Sequence, residues 1–473
     1  MLKPWTQDHI AELQGRLPGD ALAPATPRDL DEPRGKWPGR SEWVARPRDV
    51  GQVSALLAYA NDRRLPVLPR AGGTGLVGGN VSGDDPLPLI LSVERLADIR
   101  LGDPRENALI AGAGAVLADV QAAAAKTDRL FPLSLASQGS ARIGGLLGTN
   151  AGGVGVLRYG NARALTLGVE AVMADGSVMR GPKRLRKDNS GYDLRDLLIG
   201  SEGTLGVITA ASLRLFPRPA QQCAALFVVE NPAVALALLG LAQSRAGPAL
   251  SAFELIDGQG LAFLDETGLA ATLPIPGPPR WSVLLELDGW GGADARDATE
   301  ALFAAAQADG LASDGVVAAS EAQRAALWSL REAIPEANRR VGAISSHDVS
   351  LPLAAVPEFL TRAGAEVRAM ADVRINAFGH LGDGNIHFNI FPRHGADRSG
   401  YRALAAPLTD LVHGLVDTLG GSISAEHGIG RAKVADLERF ADPVRLSAMR
   451  AIKAALDPHG ILNPGAVLRQ TAG

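Results

Sequence analysis

The chain of 473 residues is poor in the things that would have placed it quickly. It holds one cysteine, Cys223, which excludes an intramolecular disulfide and a cysteine-ligated iron–sulfur cluster built by this chain alone. If it handles electrons, they must leave through another cofactor or another protein. A long basic run is also absent. With Lys+Arg 47 against Asp+Glu 51, the composition speaks against nucleic acid or an anionic membrane surface as partner. The longest apolar stretch, Ala233 to Ala242, falls far short of the ~20 residues that a membrane-spanning helix needs. The opening MLKPWTQDHIAELQGRL is amphipathic and has neither the apolar core nor the small-residue cleavage site of a signal peptide, so a soluble, cytoplasmic protein is expected. What the chain has in excess is glycine, 55 residues, gathered in runs rather than spread periodically. Clustered glycine points to binding loops built from backbone.

The length exceeds what one hydrophobic core supports, so two or more domains are expected. Residues 48 to 64 have helical spacing, and Leu65 to Leu68 reads as a short strand after it. Residues 87 to 217 alternate apolar runs with glycine-rich turns. Phe216-Pro217-Arg218-Pro219 marks a boundary, since two prolines stop both a helix and an interior strand. Beyond it, strands at 225–229, 281–287, 348–353, 373–378 and 386–391 alternate with Ala-rich helices at 293–309, 354–370 and 401–419. The tail from Gly428 reads as helices ending at Gly465.

Three segments carry the glycines. In Pro69 to Gly79, PRAGGTGLVGG, the string Gly73 to Gly78 matches the dinucleotide fingerprint, yet the NVSGDDPLP that follows cannot open the helix that fingerprint requires. Its glycines are better read as successive backbone N–H groups around an anion. In Ser137 to Gly160, eight glycines are interleaved with Ser137, Ser140, Thr149 and Asn150, a wall suited to a large flat ligand. The third segment, Asp188 to Gly206, ends in the turn GSEGTLG before the strand Val207-Ile208-Thr209.

The segment GHLGDGNIHFN, Gly379 to Asn389, together with Glu426-His427, carries the chemistry. His380 and His387 are seven apart, but Gly382 and Gly384 would each cost an intervening helix roughly 1 kcal/mol. A hairpin turning at Asp383-Gly384 is expected instead, with His387 and Asn389 on one face and Ile386, Phe388 and Ile390 on the core side. Glu426 would complete a facial triad with His380 and His387. The donors suit zinc, manganese or iron.

The glycine loop, NAGG, RYG, GSEGTLG, GHLGDGNIH, EHGIG and ILNPG, in this order from about Arg48 to Leu468, resemble the vanillyl-alcohol-oxidase/cresol-methylhydroxylase flavoproteins. Within them the chain resembles the FAD-dependent D-2-hydroxy acid dehydrogenases, which oxidise D-lactate, D-2-hydroxyglutarate or glycolate. The resemblance implies an α+β fold: an FAD-binding domain of two α/β subdomains (1–218), a cap domain on an antiparallel sheet that bears the substrate (219–421), and a C-terminal segment (422–473) completing the FAD domain and active site. It assigns Gly72, Gly73, Thr74 and Gly75 to the pyrophosphate, flanked by Pro69 and Leu76. It places Pro132, Gly139, Ser140, Gly144, Gly145, Asn150, Gly152, Gly153, Gly160, Glu202 and Ile208 along the flavin and adenine. Ala71 and Gly73 stand where relatives of the hydroxyglutarate group tend to have Gly and Asn. With no histidine from Pro69 to Asn80, a non-covalent FAD is expected.

The same resemblance gives the metal, zinc first among the candidates, to His380, His387 and Glu426, the base role to His427, a substrate carboxylate to Arg331, and places at the site to Asn389 and Asn463. It implies a small 2-hydroxy acid as substrate and an electron-transfer flavoprotein, quinone or cytochrome as acceptor, and it accommodates a homodimer. Pro335 and Ser346 depart from a threonine and a lysine that help bind the distal carboxylate in that group, and Ala466 replaces a lysine. Losing one partner of a buried charge pair costs ~2 to 5 kcal/mol, so D-lactate stands beside D-2-hydroxyglutarate as an expected substrate. Two other readings are a metal-dependent hydrolase, which leaves the glycine-rich half unexplained, and a non-redox flavoprotein transferase.

Overall fold

The computed structural model describes residues 1–269, 275 and 277–470. The chain divides into two compact units. One comprises Met1–Gly152, Gly160–Arg218 and the chain from Glu426 onward; the other comprises Gly153–Tyr159 and Pro219–Ala425.

The first unit holds two main sheets. A four-stranded sheet runs in the order Leu22–Pro24, Trp43–Ala45, Leu89–Ser92, Val67–Arg70, antiparallel at its first pair and parallel thereafter. The helix Val50–Arg63 covers it with Val53, Leu56, Leu57 and Ala60, the spacing of a single apolar stripe. Asp49 caps that helix by accepting the N–H of Gln52, and Arg64 ends it in the left-handed conformation at φ 60°. Ile461 and Leu462 from the tail join the same core, and Val67 donates to the Ile461 carbonyl at 2.8 Å. The second sheet is antiparallel, with five strands in the order Ile99–Leu101, Ala108–Gly112, Val207–Arg214, Thr166–Val172, Val178–Met179.

The second unit is built on one seven-stranded antiparallel sheet, in the order Asp314–Val317, Gln221–Val229, Trp281–Gly289, Leu250–Asp257, Val373–His380, Asn385–Pro392, Ser345–Ser350. Alternation along each strand gives the sheet two faces. Leu255, Val349, Ile375, Ala377, Ile386, Phe388 and Ile390 go to one core, packed with the helices Pro232–Ala246, Ala295–Ala308, Val356–Met370 and Ala405–Thr418. Ile256, Phe378 and Phe391 go to a smaller core under the helices Gly258–Glu266 and Glu321–Val341. Among the described residues, no helix is long and apolar enough to cross a membrane.

Candidate active site

The smaller core is interrupted by a row of polar side chains. Antiparallel register sets Glu254 opposite His380, His387 opposite Asp348, and Asn389 opposite both Ser346 and Asn376. Directly opposed residues share a face, so these groups line one side of the sheet, and Arg331 approaches them from the helix Glu321–Val341. His347, one residue from Asp348, turns to the other side, where its Nδ1 lies 3.3 Å from His413 Nε2.

Glu254 is fully buried and holds two neighbours at once. His380 Nδ1 lies 2.6 Å from its Oε1, and Arg331 approaches its Oε2 with Nη2 at 2.7 Å and Nε at 2.9 Å. Burial alone would raise this carboxyl, but His380 and Arg331 outweigh burial and hold it at about 2. The Arg331 guanidinium also lies over the Phe378 ring, 4.6 Å from its centre. Arg331, read from the sequence as a clamp for a substrate carboxylate, is thus already paired by a carboxylate of the protein.

The hairpin is present. A short 3-10 turn, Leu381–Asp383, joins the two strands, and Gly384 closes it at φ 81° with the Leu351 carbonyl pressed against the place a Cβ would fill. The two imidazoles stand nearly perpendicular with centres 5.6 Å apart. Each turns its Nδ1 to a carboxylate, His380 to Glu254 and His387 to Asp348 Oδ1 at 3.5 Å, so each directs Nε2 the other way. Asn385 steadies Asp348 with a 2.9 Å bond from Nδ2 to Oδ1. Ala425 donates its N–H to the Asp348 carbonyl, and Glu426 is the next residue in the chain. His380, His387 and Glu426 offer one ligand atom each within 4.8 Å of one another. His427 follows in the half-buried turn. Asn389 is buried, with Nδ2 3.2 Å from the His387 carbonyl.

The glycine segments differ in how closely the rest of the protein packs against them. The loop after Pro69 is buckled by Arg70 Nη1 on the Asn80 carbonyl and Asn80 Nδ2 on the Gly73 carbonyl, both at 2.9 Å. Gly72 has no space for a side chain, since a Cβ would lie 2.5 Å from the Ser140 carbonyl oxygen, and Gly144 is similarly closed by Ala113. Gly75 and Gly139 are different: the nearest atom to a Cβ on Gly75 is 3.7 Å away, and a Cβ on Gly139 meets nothing within 4 Å. Thr74, Leu76 and Gly145 are half-buried, Pro132 is buried and Ser140 exposed. Asn150 takes φ 52° and its Oδ1 accepts the Arg163 N–H, while Gly153 and Gly160 also have positive φ. Ile208 lies on the strand Val207–Arg214, and Gly152 packs so closely on Glu426 that a Cβ would meet its Oε1 at 2.5 Å.

Two of the expected site residues also tie distant segments together. Asn463, expected at the substrate, donates to the Gly79 carbonyl at 3.0 Å and the Glu202 carbonyl at 2.9 Å, and accepts from Arg431 at 3.0 Å. Its amide is consumed in tying the tail to the glycine loop, a positioning role. Glu202, expected along the cofactor, accepts the N–H groups of Ile429 and Gly430 at 2.7 and 2.8 Å. Burial raises it to about 7 against these bonds and the charges of Lys433 and Arg431.

The sequence reading missed Glu254 and Asp348 as partners of the histidines, and a second buried group on the cap sheet. There Asp288 accepts from Arg158 at 2.9 Å, Tyr159 at 3.0 Å and Gln222 at 2.8 Å, while Glu286 accepts from Arg324 at 2.7 Å and Trp328 at 2.6 Å. A signal existed: Glu254 in LSAFELID and Glu286 in WSVLLELDG are carboxylates inside apolar strands, which must be paired.

Comparison with known proteins places the site in a family. Residues 218–467 match the family model "FAD linked oxidases, C-terminal domain", and residues 41–181 match "FAD binding domain". The chain is 37% identical over 423 residues to a probable mitochondrial D-2-hydroxyglutarate dehydrogenase of Oryza sativa, covering 89% of this chain and 74% of the relative. It is 37% identical over 418 residues to a D-2-hydroxyglutarate dehydrogenase of Xanthomonas citri, covering 88% and 87%. Its fold matches p-cresol methylhydroxylase with a TM-score of 0.76 over 99% of both chains, at 16% identity. The expected cytoplasmic location is corrected by these relatives, since those from rice, Arabidopsis and cattle are named mitochondrial. The chain belongs to the FAD-linked oxidases and, within them, to the FAD-dependent D-2-hydroxy acid dehydrogenases.

Proposed function

We propose that this protein oxidises D-2-hydroxyglutarate to its 2-oxo acid with the help of a divalent metal and passes the electrons to a separate acceptor. The observation that carries the substrate is the 37% identity, across 88% of the chain, to a relative named D-2-hydroxyglutarate dehydrogenase. FAD, held without a covalent link, supplies the hydride acceptor. Gly75 and Gly139 are compatible with it, since a Cβ on either would meet no protein atom nearer than 3.7 Å. We assign Gly72, Gly73 and Thr74 to the pyrophosphate side, and Pro69, Leu76, Pro132, Ser140, Gly144, Gly145, Asn150, Gly152, Gly153, Gly160 and Ile208 to the remainder of the cradle. Residues 1–218 and 422–473 form the FAD part and 219–421 the substrate part in this reading.

The metal fits the donor set. Two imidazoles whose Nδ1 atoms face carboxylates, plus a third carboxylate within ligand range, are what a zinc, manganese or iron ion requires. Such an ion supplies Lewis acidity toward the substrate's hydroxyl and carboxylate. His427 takes the hydroxyl proton as general base. Arg331 and Asn389 orient the acid, Arg331 while remaining paired to Glu254.

D-lactate is the second reading, favoured by one observation. Pro335 lies inside the helix Glu321–Val341 and Ser346 is exposed opposite Asn389, so neither offers the hydroxyl-and-ammonium pair suited to a distal carboxylate. The test is anaerobic titration of the metal-replete protein with D-2-hydroxyglutarate, D-lactate and both L-enantiomers while following the oxidised flavin's visible absorbance. Bleaching by D-2-hydroxyglutarate at the lowest concentration supports the proposal. Preferential bleaching by D-lactate replaces it with the second reading, and a yellow protein that no acid bleaches overturns both.

A further inference from the structure

On the five-stranded sheet of the FAD unit lies a cleft of about 530 Å³ that none of the residues assigned above lines. Its walls include Arg163, Arg186, Arg195 and Arg214, with Asn161 and Thr166 between them. It opens where Thr166 pairs with Leu213. Arg214 lies six residues beyond Ile208 on the same strand, roughly 20 Å at the rise of an extended chain, while the opposite wall adjoins residues given to the cradle: Asn161 follows Gly160, and the Arg163 N–H donates to Asn150 Oδ1 at 2.9 Å.

The four guanidinium groups are not equally satisfied. Arg195 is spent: Nη2 donates to Asp193 at 2.6 Å, Nε to Asp196 at 3.1 Å and Nη1 to the Thr166 carbonyl at 3.1 Å. Asp196, the one carboxylate in the lining, shares that single cation with Asp193. Arg163 uses Nη2 on the Ile199 carbonyl at 2.6 Å, but its Nε is buried without a hydrogen-bond partner. Arg214 stacks over the Phe216 ring at 4.5 Å, and its Nε is buried and unpartnered too. Burial, and then the charge of Arg186, push the Arg214 guanidinium below its usual value. Those two Nε atoms are closed to solvent and do not face the cleft, so what points to a ligand is four guanidinium groups converging on one open cleft with a single carboxylate among them.

We propose that this cleft binds a small free oxyanion carrying phosphate or carboxylate groups. Planar guanidinium forks match the paired oxygens of both groups, and the volume is that of a small-metabolite site rather than of a macromolecular surface. The inference is independent of the substrate proposed above.

The test uses the FAD-loaded protein in 150 mM sodium chloride, where nonspecific surface attraction is largely screened. Calorimetric titrations with inorganic phosphate and with citrate are run on the parent and on Arg186→Ala, Arg214→Leu and Lys187→Ala, the last being a charge on the same loop outside the cleft. The expected result is saturable binding of one equivalent, weakened at least tenfold by Arg186→Ala and Arg214→Leu and unchanged by Lys187→Ala. The tighter of the two probes identifies the phosphate or the carboxylate as the source. Absence of saturable binding by both probes overturns the proposal. Binding that Arg186→Ala retains also overturns it, since citrate would then be occupying the substrate site. Arg186 is exposed, so its alanine variant decides the matter even where Arg214→Leu does not fold.

Discussion

The glycine segments of the first unit and the polar face of the seven-stranded sheet are built by opposite means. In the first, side chains have been removed: Gly72 and Gly144 are glycines because the protein's own backbone or side chains fill the space, Gly75 and Gly139 because nothing does. In the second, charged side chains have been buried and then paired, with Glu254 held by His380 and Arg331. A backbone cradle should therefore fail by addition, and a buried charge network by deletion.

The largest expected effect is on turnover. Replacing the proposed base, His427→Asn, should lower kcat by about 10² to 10⁴ with the flavin still bound, measured by steady-state assay with an artificial electron acceptor. Glu426→Gln should lower activity and also the metal content measured by elemental analysis; unchanged metal content would remove Glu426 from the ligand set. Next comes the cap network. Glu254→Gln leaves the Arg331 charge buried without its partner, a change that typically costs about 3–5 kcal/mol, and denaturant unfolding should show a loss of that size. A loss below about 1 kcal/mol would mean that Arg331 finds water or another carboxylate.

The glycine comparison can be sharpened with a pair of variants. Gly72→Ala drives a Cβ to 2.5 Å from the Ser140 carbonyl, so it should cost about 1–3 kcal/mol of stability even without FAD. Gly139→Ala meets no protein atom within 4 Å and should leave apoprotein stability within about ±0.5 kcal/mol. If the open space at Gly139 belongs to the cofactor, that same alanine should weaken FAD binding, read by fluorescence quenching of added flavin. Equal effects of the two alanines on apoprotein stability would break the distinction.

What was legible in the sequence follows the same division. The hairpin at Asp383-Gly384 could be read because glycine spacing excluded a helix, and the alternation of Ile386, Phe388 and Ile390 put His387 on the other face, as the structure shows. Strands at Gln221–Val229, Trp281–Gly289 and Val373–His380 announced themselves as apolar runs. The strand Leu250–Asp257 did not, since Ser251 and Glu254 interrupt its apolar run, and with it went the partner that fixes His380 and Arg331. The helix around Arg331 was hidden by Pro335 in its interior. Asn463 and Glu202 could not be read at all as positioning residues, because their bonds join segments more than 200 positions apart in sequence.

A further expected effect concerns pH. Glu202 is enclosed between the GSEGTLG turn and the backbone N–H groups of Ile429 and Gly430, and burial raises its carboxyl to about 7 from the ordinary glutamate value of 4.5. A folded-state value above the unfolded one means that the folded protein holds this proton more tightly. The stabilisation is therefore fully present below pH 4.5 and is lost as pH rises through 7. A difference of about 2.5 pH units corresponds to roughly 3 kcal/mol, net of the two backbone bonds that favour the charged form. Glu202→Gln keeps an oxygen acceptor and cannot ionise, so melting curves from pH 5 to pH 8 should show the parent losing a few degrees relative to the variant across that window. A parent that instead gains on the variant above pH 6 would show that the Ile429 and Gly430 amides win, and that the anion, not the acid, ties the tail to the glycine loop.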